Sequence, residues 1–284
     1  MRGLLSLPDL MNLSRSNGID TLALTDVNGM WGFIRFVQHC KDAGIRPIAG
    51  TNLITEKDEV IILAENQYGY ENMCRAVSAV HDNPNQSVVD ILEKRLAGLF
   101  ILAHDELTLK KLIKIIPDTH LFIELRPGDQ ESLAKRMAKE LKLEMVITGD
   151  VYFRSPSDHD AHITLRAIEN NTTLEQLNIS ECKTDQHWFR SEAEMVTLFP
   201  NSLDALNNSR YLADRCKTDW TFINTIFPGL SLKETHVSNK RLKDKVYAGA
   251  RIRYGEVDET IRQRIEYELD LITQKGFAPY FLIV

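Results

Sequence analysis

The sequence lacks the features that would mark a membrane, secreted or zinc-ribbon protein. No run approaches the roughly 18 apolar residues that span a bilayer, and the first residues do not show the charged-then-apolar order of a signal peptide. There is no Cys-x-x-Cys pair, which excludes a zinc ribbon and a thioredoxin motif. We therefore expect a cytoplasmic protein without membrane association, whose cysteines are buried free thiols: Cys40, Cys74, Cys182 and Cys216.

The charge balance lacks the basic excess of a domain that binds nucleic acid. The formal net charge is -6, and the sequence pI is about 5.8. Because affinity for nucleic acid comes mainly from neutralising phosphates, we expect this chain to contact DNA only together with other parts of a larger protein. A length of 284 residues with 43% apolar side chains is enough for one large α/β domain, or for one domain and part of a second.

The stretch 22–50 has the pattern of a complete βαβ unit. A strand from Thr21 stops at Asp26, an Asn-Gly pair supplies a turn, and a helical pattern leads to a second strand at Arg46–Ala49. This places Asp26 at the carboxyl end of a strand, where open α/β sheets and α/β barrels hold their functional groups.

The alternation of strands and helices continues to about Thr172, after which short helices replace the strands. Six strands, which we interpret as parallel, fit a barrel or a doubly wound sheet. A helix with a capping box, Ser6 and Asp9, precedes the first strand, so we expect that an initial strand is absent from this sequence. The four later strands are predicted at residues 60–64, 99–103, 121–125 and 145–148.

The end of the sequence, Tyr280–Val284, is wholly apolar or aromatic. A free tail of this kind would be poorly covered, so we expect the natural chain to continue beyond it. The alternative is that these residues form a buried strand that docks back on the domain.

Polar side chains stand at or just past the carboxyl ends of several predicted strands. Carboxylates and histidines in such positions are the ligands of multinuclear metal sites that activate water for phosphoester hydrolysis. The same residue types also cap turns and helices, so both interpretations stay open. The residues concerned are Asp26, Asn52, His104, Glu124 and Asp150.

Longer segments resemble one family along nearly the whole chain. LALTDVNGMWG followed by AGIRPIAG is similar to the LALTDHGNMFG and AGIKPIIG block of the PHP (polymerase and histidinol phosphatase) domain of bacterial DNA polymerase III alpha subunits. MVITGDVYF resembles the family's LVATNDVHY, and the segment ending in GFAPYFLIV resembles the family's GFADYFLIV, where the polymerase palm begins. The resemblance implies a distorted (β/α)7 barrel, here incomplete at its N-terminus, followed by a helical extension.

The resemblance also implies a site of histidines and acids that holds metal and, in some members, supports a 3′–5′ exonuclease. The family's first His-x-His has no counterpart in this sequence. Three further ligand positions are replaced, by Val27, Asn52 and Tyr152, which bind a divalent cation poorly or not at all. Asp26 and Asp150 are kept as vestigial candidates, and two acids are too few to hold even one zinc ion.

Two weaker candidates complete the predicted site, His104 and Glu124. His104 is either a surviving ligand or a residue that bonds backbone at a helix start. No catalytic residue is assigned, and no metal or other cofactor is expected; if the site survives, the alternatives are zinc, manganese or magnesium.

The leading hypothesis is therefore the PHP-domain part of a replicative DNA polymerase III alpha-like protein, with a degenerate metal site and a structural or partner-binding role. We expect residues 1–225 to form the PHP domain and residues 226–284 a helical connector into the palm. The expected partners are the rest of the polymerase chain and a proofreading exonuclease subunit. The family is a DNA-directed DNA polymerase, a nucleotidyltransferase, but its paired-aspartate palm motif has no counterpart before Val284.

One alternative belongs to a different class. A metal-dependent phosphoesterase or 3′–5′ exonuclease could use an altered ligand set around Asp26, His104, Glu124 and Asp150. Neither the parent's replicative or error-prone type nor the oligomeric state follows from the sequence.

Overall fold

The computed structural model describes residues 3–179, 182–220 and 232–283. The chain divides into two compact units, Met1–Trp220 and Thr221–Val284. The predicted domain boundary between residues 225 and 226 lies outside the described residues.

The first unit is built on one six-stranded sheet in which the strands lie side by side in chain order. Helices connect most of the strands, as the alternating pattern predicted. The strands are β1 (Thr21–Val27), β2 (Arg46–Ile54), β3 (Glu59–Ala64), β4 (Leu99–Ala103), β5 (Leu121–Leu125) and β6 (Met145–Ile147).

The prediction that all strands are parallel is wrong for β3. The β1–β2, β4–β5 and β5–β6 pairs are parallel, but β3 is antiparallel to both of its neighbours. β2 and β3 are joined by a short turn, in which the Thr55 amide donates to the Asp58 carbonyl at 3.0 Å, rather than by a helix. A parallel pair needs a crossover of a dozen or more residues, so this short connection fixes an antiparallel hairpin.

Twelve α-helices accompany the strands in the part of the chain that the structure describes. Their bounds follow the predicted order of elements, with short 3-10 turns at Asp118–His120 and Pro156–Asp158. The helices are α1 (Leu7–Ser16), α2 (Phe33–Ala43), α3 (Gln67–Asp82), α4 (Val88–Leu92), α5 (Glu106–Leu112), α6 (Glu131–Leu141), α7 (His159–Glu169), α8 (Glu192–Leu198), α9 (Leu203–Arg215), α10 (Leu232–Tyr254), α11 (Glu259–Gln274) and α12 (Ala278–Ile283).

The sheet buries both of its faces. The larger apolar cluster packs helices α2 to α6 against one face, which we call the outer face, with Phe36, Met73 and Leu109 fully buried. The smaller cluster covers the opposite or inner face and joins Phe100 and Phe122 of the sheet to α9. A sheet covered on both sides reads as nearly continuous apolar runs, which is why β4 and β5 were predictable from the sequence.

Helix α9 closes the end of the sheet at which the parallel strands begin. Arg46, the first residue of β2, donates to the carbonyl oxygens of Ala213 and Cys216 at 2.7 and 2.9 Å. The Lys217 amide donates to the Glu65 carbonyl at 2.7 Å. Backbone contacts of α9 thus cover this end, and the predicted site residues lie at the opposite end, where the parallel strands finish.

The second unit is a small helical cluster formed by α10, α11 and α12. Leu242, Leu269 and Ala278 are its buried centre. Lys243 and Tyr247 of α10 contact Glu266 of α11 through a 2.8 Å ion pair and a 2.6 Å hydrogen bond. Because α12 is helical, the alternative prediction of a terminal strand that docks back is wrong.

These observations confirm the predicted class of an incomplete α/β barrel followed by a helical extension. Within the described ranges, no helix combines the length and apolar character needed to cross a bilayer.

Candidate functional site

Strand alternation divides the predicted site residues between the two faces of the sheet. Ala23, Ile48 and Ile61 belong to the inner-face cluster, and side chains two or four positions further along a strand share that face. At the carboxyl end, the inner face is therefore lined by Val27 and Asn52, which are partners across the β1–β2 ladder. The other strands and the positions just after them contribute Glu59, His104, Glu124 and Thr148.

Asp26 is not part of this group. It precedes Val27 by one residue and so lies on the outer face, together with its ladder partner Thr51. Its Oδ2 accepts a hydrogen bond from the Gly32 amide at 2.8 Å, just before helix α2. The β1 strand also extends one residue beyond Asp26, to Val27. Asp26 is thus placed to fix the turn between β1 and α2.

Asn52 faces the site and is 6% exposed. Its Nδ2 donates to Glu59 Oε1 at 2.7 Å, whereas no donor among the described residues reaches its buried Oδ1. Sequence reasoning missed Glu59, because β3 was predicted to begin one residue later. The hairpin between β2 and β3 is the local feature that brings Glu59 back beside Asn52.

Glu124 is the most buried acid of the inner face, at 3% exposure. Thr148 donates its hydroxyl to Glu124 Oε1 at 2.5 Å, and His104 Nδ1 lies 3.9 Å from Oε2. Burial raises the pKa of Glu124 to about 7, although the charge of Arg126 and the Thr148 hydrogen bond act in the opposite direction. Burial, followed by the charge of Arg126, lowers the pKa of His104.

Asp150 lies just beyond β6, and its carboxylate contacts one lysine and one histidine side chain. Lys183 Nζ is 2.6 Å from its Oδ2, and His187 Nδ1 is 3.2 Å from the same oxygen. Burial alone would raise the pKa of Asp150, but the His187 hydrogen bond and the Lys183 charge outweigh it and hold this pKa well below its usual range. The carboxylate is therefore ionised and already neutralised inside the protein.

Tyr152, at a replaced ligand position, packs in the same region. Its ring makes edge contacts with His162 and His187, at centroid distances of 5.7 and 6.2 Å. Lys183 Nζ lies 4.9 Å from the ring centroid. Neither Lys183 nor His187 was singled out in the sequence, because both lie beyond the last clear strand and are joined to the site only by tertiary contacts.

The donor set does not fit a divalent metal. Asp26 is on the outer face, Asp150 is neutralised by a lysine, and Glu124 is an acid whose burial favours its protonated form. A metal site needs about four convergent donors that can shed their protons. Across residues 3–179, 182–220 and 232–283, no group of three or more His, Cys, Asp or Glu side chains is arranged to hold a metal ion.

The chain is similar to known proteins over its full length. Residues 1–153 match the PHP domain, and residues 240–284 match the bacterial DNA polymerase III alpha NTPase domain. It is 29% identical to DNA polymerase III subunit alpha of Pasteurella multocida, with 100% of this chain and 28% of the relative covered. It is 26% identical to error-prone DNA polymerase of Symbiobacterium thermophilum, with 98% and 30% covered.

Two further facts qualify these similarities. The chain spans less than a third of the length of these curated relatives. A solved structure from Bifidobacterium adolescentis, described as a metal-dependent phosphoesterase, shares 12% identity at a TM-score of 0.35 and covers 52% of this chain and 83% of its own. That likeness is too slight to carry an argument.

The PHP match covers residues 1–153 of 284, which is more than half of the chain. The matched segment contains β1 to β6 and the site residues from Val27 to Asp150. This confirms the family that the sequence motifs indicated: the chain belongs to the PHP domain family.

Proposed function

We propose that this chain is the PHP-domain part of a DNA polymerase III alpha-like protein, in which the PHP unit supports the polymerase and performs no hydrolysis of its own. The observation that carries the proposal is the engagement of Asp150, whose carboxylate is bound by Lys183 at 2.6 Å and by His187 at 3.2 Å. An acid neutralised in this way has no free charge for a metal ion. The relatives named DNA polymerase III subunit alpha support the wider assignment.

Metal-assisted phosphoester hydrolysis requires a cation that lowers the pKa of a bound water. The inner face offers Val27, a hydrocarbon, and Asn52, an amide already bonded to Glu59, at two of the family's ligand positions. Zinc, manganese and magnesium all need more charge and more open donors than these side chains supply. We therefore assign the unit a structural role and no resident cofactor.

A structural role fits the way the sheet is built. Both faces are covered by apolar side chains, and the amino end is plugged by α9. Such a unit is a rigid platform on which a polymerase module or a proofreading exonuclease subunit can dock. With a net charge of -6, DNA would be bound through the full polymerase, in the cytoplasm, rather than by this unit alone.

Metal analysis combined with a nuclease assay tests the proposal. The purified chain is dialysed against manganese or zinc, its metal content is measured, and it is then incubated with single-stranded DNA and with a chromogenic phosphodiester. We expect substoichiometric metal and no hydrolysis above that of the Asp150→Asn variant. Stoichiometric metal together with hydrolysis that Asp150→Asn abolishes would overturn the proposal and establish the phosphoesterase alternative.

Binding to a proofreading exonuclease subunit is tested separately. The exonuclease subunit from the same organism is titrated with the purified chain and followed by calorimetry. A saturable one-to-one interaction is the expected result, and it should be insensitive to chelators because no metal takes part. Loss of binding on chelation would contradict a metal-free role.

A further inference from the structure

A lysine brings a positive charge to the carboxyl end of the sheet from a distant part of the chain. Lys183 follows Asp150 by 33 residues, yet its Nζ lies 2.6 Å from Asp150 Oδ2 and 4.9 Å from the centroid of the Tyr152 ring. Only 25% of the Lys183 side chain and 11% of the Asp150 side chain are exposed. The pair is therefore largely removed from solvent. Two charges interact more strongly in the protein interior than in water.

The backbone of Lys183 is fixed by two histidines of α7. The Lys183 amide donates to His162 Nε2 at 3.1 Å, and the Lys183 carbonyl is 3.0 Å from His159 Nε2. His162 is 1% exposed. The ammonium thus extends from an anchored backbone, and its approach to Asp150 does not depend on a freely moving loop.

Asp150 is also held in an unusual backbone conformation. Its φ is +40°, in the left-handed region that side-chain-bearing residues enter only at a cost. Such a conformation persists where surrounding interactions fix it. Here the Asp150 carboxylate contacts both Lys183 and His187, and these two contacts hold the residue in this conformation.

The same lysine stands at the start of a segment that pairs with the chain beyond β6. The Tyr152 amide donates to the His187 carbonyl at 2.8 Å, and the Phe189 amide donates to the Phe153 carbonyl at 3.1 Å. Phe153 and Trp188 form a parallel bridge. Residues 182–190 therefore pair through a few backbone hydrogen bonds and one isolated bridge with the segment that follows β6, next to the ion pair.

We propose that Lys183 is an internal counter-ion that takes the place of a metal cation at Asp150, and that this ion pair docks residues 182–190 on the segment that follows β6. The proposal rests on the proposed function, since a metal-loaded Asp150 would leave Lys183 no such role. It goes further by naming the group that supplies the missing positive charge. Arg126 pairs through its Nε with Asp129 at 3.2 Å, whereas Lys183 contacts the Asp150 carboxylate directly.

A double-mutant cycle in the purified chain tests the proposal. The variants are Lys183→Met, Asp150→Asn and the double variant, and the unfolding equilibrium is measured by urea titration. Lys183→Met leaves a buried carboxylate without its counter-charge, so the unfolding constant should rise by at least about 100-fold. In the Asp150→Asn background the same substitution should not raise the unfolding constant, since it removes an ammonium that has lost its counter-charge and leaves no charge unpaired.

The matched control is Lys110→Met, which breaks an exposed ion pair with Glu106 at 2.5 Å. It should change the unfolding constant by less than about 5-fold. Hydrogen exchange gives a local measure: in Lys183→Met the amides of Tyr152 and Phe189 should lose protection while those of β4 and β5 keep it. If Lys183→Met does not fold, recovery of folding in the double variant supports the proposal, and failure to recover overturns it.

If Lys183→Met changed the unfolding constant equally in the wild-type and Asp150→Asn backgrounds, the counter-ion proposal would also be overturned, whatever the metal content. Metal analysis of the same preparations separates this result from a failure of the proposed function. A metal-free wild-type chain without coupling between the two sites refutes only the counter-ion. A wild-type chain that binds stoichiometric metal refutes the proposed function, and the counter-ion with it.

Discussion

The buried carboxyl of Glu124 should make the stability of this protein fall as the pH rises. Burial holds its folded-state pKa at about 7, compared with 4.5 for an ordinary glutamate. Below pH 4.5 both the folded and unfolded states keep the proton. Between 4.5 and about 7 only the folded state keeps it, so unfolding becomes progressively more favourable. Above pH 7 the folded protein contains an ionised, buried carboxylate.

The size of this effect follows from the difference between the two pKa values. At 1.36 kcal/mol per pKa unit, a shift from 4.5 to about 7 corresponds to a loss of about 3 kcal/mol above pH 7. Glu124→Gln removes the ionisation but keeps the shape and an acceptor for the Thr148 hydroxyl. The variant should therefore gain stability relative to the wild type as the pH rises, up to about 3 kcal/mol.

Urea titrations of both proteins from about pH 5 to about pH 8.5, at constant ionic strength, measure this difference directly. Subtracting the two curves cancels the contributions of groups that are common to both proteins. Glu93→Gln, at an exposed position, is the control and should not reproduce the trend. A stability difference between wild type and Glu124→Gln that is constant across this range would refute the assignment of a raised pKa to Glu124.

Three further substitutions test the local interactions by urea unfolding. Asp26→Ala removes the acceptor for the amide that precedes α2 and should cost about 1 kcal/mol, with no change in metal content. Asp58→Ala should cost about 2 to 3 kcal/mol, because its buried carboxylate accepts from the Val88 amide at 2.6 Å; a loss below that of Asp26→Ala would contradict this. Gly69→Ala should cost at least about 3 kcal/mol or prevent folding, since a Cβ there would lie 1.8 Å from the Gly98 carbonyl oxygen, and a stable variant would show that this backbone contact can open.

The strands of this fold were predictable because they are short apolar runs bounded by turn residues. The direction of β3 was not, because periodicity does not distinguish a parallel from an antiparallel strand. The decisive feature is the short connection between β2 and β3, which leaves no room for a helix between Ile54 and Glu59. The predicted second strand ends at Ala49, whereas β2 runs to Ile54, and so the prediction did not reveal how short this connection is. Connection length, rather than strand pattern, decides this part of the topology.

The site was predictable to a smaller extent. The family motifs predicted replaced ligand positions at Val27, Asn52 and Tyr152, and the structure brings Val27 and Asn52 together on the inner face. Strict alternation along β1 would have separated Asp26 from Val27 in advance, because adjacent residues of a strand face opposite sides. Lys183 had no local signal, since its meaning depends on a contact with Asp150 across 33 residues.

Under the proposed function, the acids at the carboxyl end of the sheet have no metal ion to balance their charge. A metal-binding site concentrates acids, and their mutual repulsion would destabilise the fold once the cation is lost. In this chain a different interaction limits the negative charge of each acid. Burial favours the protonated form of Glu124, the Asn52 amide donates a hydrogen bond to Glu59, and Lys183 neutralises Asp150. Because each of these interactions is made by this chain's own side chains, none of them requires a bound cation. This is the arrangement that the proposed structural role requires of a scaffold for docking.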